Sequence, residues 1–393
     1  MLAILKNIIN IDLFRPAFRI FFLAGSLYAV VAIFVWLLSL QNILQIQGSE
    51  RDVSWHVHEM LYGFVGIIIT GYLLTTISRA GSNKHTIFIL FLFWFMGRLV
   101  MNYYYYTWST PVLFTIDSLF LLTIASLVIR DLIVAGKKDY ILLIPILFLL
   151  PTINIFFHFG NTEEFKINAL LLLNHMVILM ITIIGGRLIP SLTLSWLRSI
   201  KSQQLPVSKQ FIEMGVILAT VITGIIDMAF PNSMWLSLSA FIAALFHASR
   251  LWGWCSYKVF LNFSLLIVHI AYAWLVAGYI ILTGCYFTDY VNHSSAMHVL
   301  NIGTIGTMIL AVMARLSIRF QNKFATITTN VSFLFIFFAV ILRLTGSFLM
   351  KNHSEFIMLS GVMWMMAFIA FSAGYLVSIY SISVFKKNRI NQH

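Results

Sequence analysis

The chain has 393 residues, of which 60% are hydrophobic and only 10% charged, with a formal net charge of +12. So little polar surface excludes a soluble globular protein and points to an all-α, polytopic membrane protein with almost no domain outside the bilayer. The positive excess follows from membrane topology, as shown below, so the partner it implies is a lipid bilayer and not nucleic acid.

The first apolar run covers about residues 17–38. It has the ~20 residues a membrane helix needs and lacks a small-residue cleavage pattern, so it reads as a span and not as a cleaved signal. Asp12, Arg15 and Arg19 at its start form a short cytoplasmic arm. Further runs follow at about 58–78, 86–106, 111–129, 140–159, 167–190, 211–230, 234–254, 260–284, 296–314, 327–349 and 356–384, giving twelve predicted spans. Nineteen of the 25 Lys and Arg residues fall in alternate loops and at the two ends, three in the opposite loops (Arg51, Lys166, Lys351), and Arg98, Arg187 and Arg343 inside spans. The positive-inside rule then places both termini in the cytoplasm. Residues 1–393 are expected to form a single integral membrane domain, with a possible joint between six-helix halves near 195–210. No internal repeat stands out. Cys255 and Cys285 fall on opposite sides of this topology, which excludes a disulfide across a hydrocarbon core of roughly 30 Å.

Ionisable groups carry the functional signal, because their burial in a membrane is costly unless something uses them. Trp55-His56-Val57-His58-Glu59-Met60 sits at the mouth of span two. Positions i and i+2 of a helix point about 200° apart, so His56 and His58 share a ligand set only if His56 precedes the helix; otherwise they serve separate sites. His175 lies in span six, His269 in span nine, and His298 at the start of span ten. Imidazole is a versatile metal ligand, and these five histidines are the candidate ligands. Arg98, within span three, needs an anion; Glu59 and Asp117 lie at compatible depths, and a haem propionate would serve as well. Arg187 follows Gly185-Gly186 near the inner surface, where snorkelling and cofactor binding are both open. Gly63, Gly66 and Gly71, and Gly303 with Thr307 and Ala311, read as close-packing faces that would also admit a flat macrocycle.

These stretches resemble the NnrS family of membrane proteins. The resemblance rests on Leu13-Phe14-Arg15-Pro16-Ala17-Phe18-Arg19, on the Trp55–Met60 segment continuing to Phe64, on Gly71-Tyr72-Leu73-Leu74-Thr75, Gly97-Arg98 and Asn174-His175, on Ile184-Gly185-Gly186-Arg187-Leu188-Ile189-Pro190, on His269–Trp274, and on Ala296-Met297-His298 through Arg315. Ser78-Arg79-Ala80-Gly81 departs from it, where a Trp-containing turn is expected. The resemblance implies a twelve-span bacterial inner-membrane protein that contains haem and copper and acts in nitric oxide metabolism and resistance to nitrosative stress. Its partners would be nitric oxide or nitrosyl-iron species. On that reading His175, His298 and the His56/His58 pair lie at similar depth and helices two, six and ten meet around one site. Arg98 and Arg187 bind cofactor, Glu59 orients a histidine, and His269 serves a second, deeper site.

Two other readings compete. A twelve-helix secondary transporter would show related halves and broken helices, for which Gly185-Gly186 with Pro190, and Pro145 with Pro151, are the candidates. A respiratory haem–copper oxidoreductase would need a His-His pair in one span and His-Pro-Glu in another, and the chain has neither. Whether the protein is an enzyme stays open at this level.

Overall fold

A computed structural model describes residues 13–43, 53–78, 83–104, 108–136, 140–317, 323–348 and 353–390. Lys6, Arg51, Arg79, Lys137, Lys138, Arg319 and Lys351 of the charge pattern, and the atypical Arg79-Ala80-Gly81 turn, lie outside them.

The described residues form twelve long helices and no strand: α1 (Phe18–Leu40), α2 (Val53–Thr76), α3 (Lys84–Tyr103), α4 (Thr110–Val134), α5 (Leu143–Phe159), α6 (Glu163–Ser199), α7 (Gln210–Ala229), α8 (Met234–Gly253), α9 (Phe263–Gly284), α10 (His293–Ser317), α11 (Lys323–Phe348) and α12 (His353–Ile390). Eleven are long and apolar enough to cross a bilayer, and α5 is a shorter apolar helix. Hydrocarbon offers no partner for a backbone N–H or C=O, so apolar runs of this length close their hydrogen bonds within one helix. Phe34, Phe148 and Ile225 are exposed on the helix surfaces, as lipid-facing positions are.

One difference from the sequence reading is the stretch after span six. α6 does not stop at residue 190; it runs through Gly185, Gly186 and Pro190 to Ser199. Pro190 forgoes one backbone hydrogen bond, and in the following turn Thr193 bonds its hydroxyl to the Ile189 carbonyl at 2.8 Å. α5 likewise contains Pro151 without a break. The interruptions that a transporter reading calls for are absent at these two places.

The chain packs as two compact units. The first comprises Met1–Leu170, Leu316–Ser332 and Met365–His393; the second comprises Leu171–Arg315 and Phe333–Trp364. Each contains a device that the sequence did not reveal. α2 changes to a π-helix over Glu59–Val65 directly after His58, and α10 does the same over Val299–Gly306 directly after His298. In both, glycine stands five and eight residues after the histidine: Gly63 and Gly66, Gly303 and Gly306. A π segment inserts a residue into the helical repeat and re-aims the side chains around it, and such segments gather at functional sites. The glycines admit close neighbours. A Cβ on Gly63 would lie 3.0 Å from Arg98 Nη1, and one on Gly303 would lie 2.8 Å from Trp274 Cγ.

Candidate metal centre

In the first unit, five helices bring polar side chains to one buried cluster. The α-helical entry of α2 supplies His58, and the first residue of its π segment is Glu59. α3 supplies Arg98 near its end, α4 supplies Asp117 two turns from its start, and α5 supplies Asn154 and His158 in its last turns. Starts of even-numbered helices and ends of odd-numbered ones meet at the same end of an up-and-down bundle, so these positions fall at one depth. α1 adds Tyr28.

Arg98 lies between the two carboxylates. Its Nη1 donates to Glu59 Oε1 at 2.6 Å, and its Nη2 donates to Asp117 Oδ1. Tyr28 donates its hydroxyl to Glu59 Oε2 and accepts from Asn102 Nδ2 at 3.1 Å. Asn154 Nδ2 donates to Asp117 Oδ2 at 2.8 Å and to Ser118 Oγ at 3.0 Å. The Glu59, Asp117 and His58 side chains are all at 0% exposure, so water does not screen these charges.

Two carboxylates against one guanidinium leave a negative charge over. The contacts of His58 show where it is balanced. Its Nδ1 faces Glu59 Oε1 at 3.0 Å; its Nε2 faces Asp117 Oδ2 at 3.2 Å and Asn154 Oδ1 at 3.2 Å. All three neighbours are acceptors, and a neutral imidazole has one N–H to give. Three states meet this demand: a proton on the Glu59 carboxyl, a second proton on the ring, or a metal ion. His158 Nε2 also lies 3.0 Å from Asp117 Oδ2, and its Nδ1 is buried with no hydrogen-bond partner. His58, Asp117 and His158 each offer a ligand atom within 4.8 Å of the others. Two imidazoles and one carboxylate are a donor set for first-row transition metals.

The other candidates have partners of their own. His56 turns away from His58 and stacks on the Trp36 ring, with centroids 4.6 Å apart and planes at 12°. The two histidines are thus split by the helical repeat. His175 and His298 belong to the second unit. His175 Nε2 meets Asp227 Oδ2 at 3.0 Å. His298, half-buried, holds its Nδ1 2.7 Å from the Ser294 carbonyl, and Arg343 Nη2 approaches that ring at 3.5 Å. His269 has both ring nitrogens on hydroxyls, Nε2 with Thr193 at 2.9 Å and Nδ1 with Ser256 at 2.7 Å. Arg187 lies on α6, in the second unit.

Three residues of these clusters carry more than their sequence positions suggested. His158 stands at the end of a predicted span, and its side chain is 1% exposed. Asn154 gave no signal. Asp227 was legible as a lone acid near the end of an apolar run, the mark of a used intramembrane group.

Twelve helices with a buried histidine–carboxylate centre define a polytopic transmembrane protein with a site compatible with a metal ion. The chain belongs to the NnrS family: the family model described as NnrS protein matches residues 12–381 of it. No curated protein matches the chain.

Proposed function

We propose that this protein binds a transition metal, copper by its family resemblance, at His58, Asp117 and His158, and that it acts there on nitric oxide or on nitrosyl-iron species in the bacterial inner membrane. The observation that carries the reading is the set of acceptors on both nitrogens of His58. A bound ion would supply that missing positive charge and a Lewis-acidic position at which nitric oxide binds. Glu59 would then take the Nδ1–H of His58, fixing its tautomer and orientation, as second-sphere carboxylates do. Arg98 holds Glu59 and Asp117 in place. Nitric oxide is small and apolar and reaches a buried centre through lipid, so no aqueous channel is required.

Haem, which the family also implies, is best served by His298. The Nδ1–H of this residue donates to the Ser294 carbonyl, leaving Nε2 as the basic nitrogen, which is how axial histidines are commonly oriented. Arg343 beside it has a buried Nη1 without a hydrogen-bond partner, a cation suited to a propionate. The test is purification in mild detergent with metal analysis and optical spectra, with and without nitric oxide. His58→Ala and Asp117→Asn are expected to lose the non-haem metal while retaining haem absorbance; His298→Ala is expected to do the reverse. Full metal content in Asp117→Asn would refute the copper assignment.

A further inference from the structure

Polar side chains run through the second unit along one face of α7. Glu213, Thr220 and Asp227 follow at seven-residue spacing, which drifts only about 20° per step and covers about 21 Å of helix. Glu213, near the start of α7, has 28% side-chain exposure. Asp227, near its end, has 0%; its Oδ1 lies 2.8 Å from Nε2 of His293, the first residue of α10, whose side chain is 27% exposed. The Asp227 Oδ2 meets His175 Nε2 of α6 at 3.0 Å. α7 is long and apolar enough to cross a bilayer, so these groups are costly there. Acids and histidines in series within a membrane mark proton relays.

α8 and α9 supply the groups between the two ends. His247 on α8 holds its Nε2 3.0 Å from Thr220 Oγ1 and its Nδ1 2.7 Å from the Tyr272 hydroxyl of α9. Thr220 gives its own proton to the Val216 carbonyl at 2.7 Å, so it accepts from Nε2–H. Arg250 Nη1 donates to the Tyr272 oxygen at 3.1 Å and cannot accept, so the phenol proton points at His247 Nδ1. Imidazole takes a proton at one nitrogen and gives one from the other, which links Tyr272 to Thr220. Between Thr220 and Asp227 stand the hydroxyls of Thr223 on α7 and Tyr279 on α9. Tyr279 stacks on His247 with centroids 5.4 Å apart, lies beside Thr220 and feels the Asp227 charge. Both residues are at 0% exposure, and both hydroxyls lack a hydrogen-bond partner. Two unpaired hydroxyls and a carboxylate supply the polar partners that an ordered water needs. A plain interhelical staple has no use for them; a relay needs a hydrogen-bonding group at this point. Beyond Tyr272 the series meets Arg250. Its Nε donates to Glu213 Oε1 at 3.1 Å, its Nη2 to Glu213 Oε2, and its Nη1 also to the Thr182 carbonyl of α6 at 2.9 Å. Gly186 leaves room for this guanidinium, since a Cβ there would be 1.7 Å from Nη2. A fixed cation that cannot give up its proton is an electrostatic barrier to protons.

We propose that the second unit contains a proton path, open at His293 and closed by Arg250. It runs by Asp227, a water held by Thr223 and Tyr279, then Thr220 and His247, to Tyr272. It exchanges protons between solvent at the start of α10 and the buried Tyr272–His247 pair, while the Arg250–Glu213 pair keeps them from crossing the membrane. This inference stands on the second unit alone and does not depend on the metal centre of the first.

The test places the full-length protein in phosphatidylcholine vesicles that enclose a pH-sensitive dye, with a membrane potential set by potassium and valinomycin. The wild type is expected to be as proton-tight as empty vesicles. The Glu213→Gln/Arg250→Gln double variant removes both charges of the barrier together and is expected to leak protons severalfold faster. Adding Asp227→Asn to it should restore tightness. A leaky wild type, a tight double variant, or a leak that survives Asp227→Asn would each overturn the path. A second measurement needs no barrier variant. The infrared C–O–H band of Tyr272, taken as wild type minus Tyr272→Phe, should shift soon after transfer to deuterated water, and severalfold more slowly in Asp227→Asn. Equal exchange rates with and without Asp227 would overturn the path even if the double variant failed to fold.

Discussion

Replacing Arg98 by Met removes the guanidinium that pairs with two fully buried carboxylates. Arg98 is itself 7% exposed, while Glu59 and Asp117 are at 0%. Breaking a buried pair by deleting one partner costs about 3–5 kcal/mol, because the other charge is left desolvated and alone. Here two carboxylates lose the same partner, so the upper part of that range is expected. For a unit of 150–250 residues a loss of about 4–5 kcal/mol corresponds to a fall in melting temperature of roughly 8–20 °C. The assay is thermal unfolding in mild detergent, followed by fluorescence and size-exclusion chromatography. Arg98→Lys keeps the charge but not the two-pronged geometry and should fall between the two. Glu59→Gln on the Arg98→Met background should recover part of the loss by removing one stranded charge. A loss below about 1 kcal/mol for Arg98→Met would refute the reasoning, since it would place the pair at the level of exposed ion pairs.

Four further outcomes follow from the same geometry. Gly63→Ala puts a methyl 3.0 Å from Arg98 Nη1 and 3.2 Å from Glu59 Oε2; it should destabilise by about 1–3 kcal/mol and weaken metal binding at His58, read by unfolding and metal titration. Tyr28→Phe deletes the hydroxyl that donates to Glu59 and should lower stability by about 1.5–3 kcal/mol with the ion count unchanged. His269→Gln should lower stability but leave the metal content intact, because both its ring nitrogens serve hydroxyls. Cys285, just beyond α9, has its thiol pushed up to about 11 by burial first and by the Asp227 charge second. At pH 8 roughly one thiol in a thousand is then thiolate, so iodoacetamide labelling should be slow and rise about tenfold per pH unit toward 11; rapid labelling at pH 8 would contradict this environment.

Much of the architecture was legible without coordinates, because it depends on local chemistry. A run of about 20 apolar residues must close its own hydrogen bonds in hydrocarbon, so length and composition alone fixed the helices. Arg98 at its depth required an anion, and both acids at compatible depth, Glu59 and Asp117, receive it. What tertiary structure decided is how each helix is rotated about its axis and which neighbour it faces. That rotation sends His56 to Trp36 and His58 to Asp117, two residues apart in sequence. It also joins Asp117 to His158 and Asp227 to His175 across consecutive helices, and Asp227 to His293 three helices further on. Hydropathy reports depth, because depth is set by the solvent each residue meets. It is silent on azimuth, because azimuth is set by close packing between helices, here by the glycines and π segments after His58 and His298.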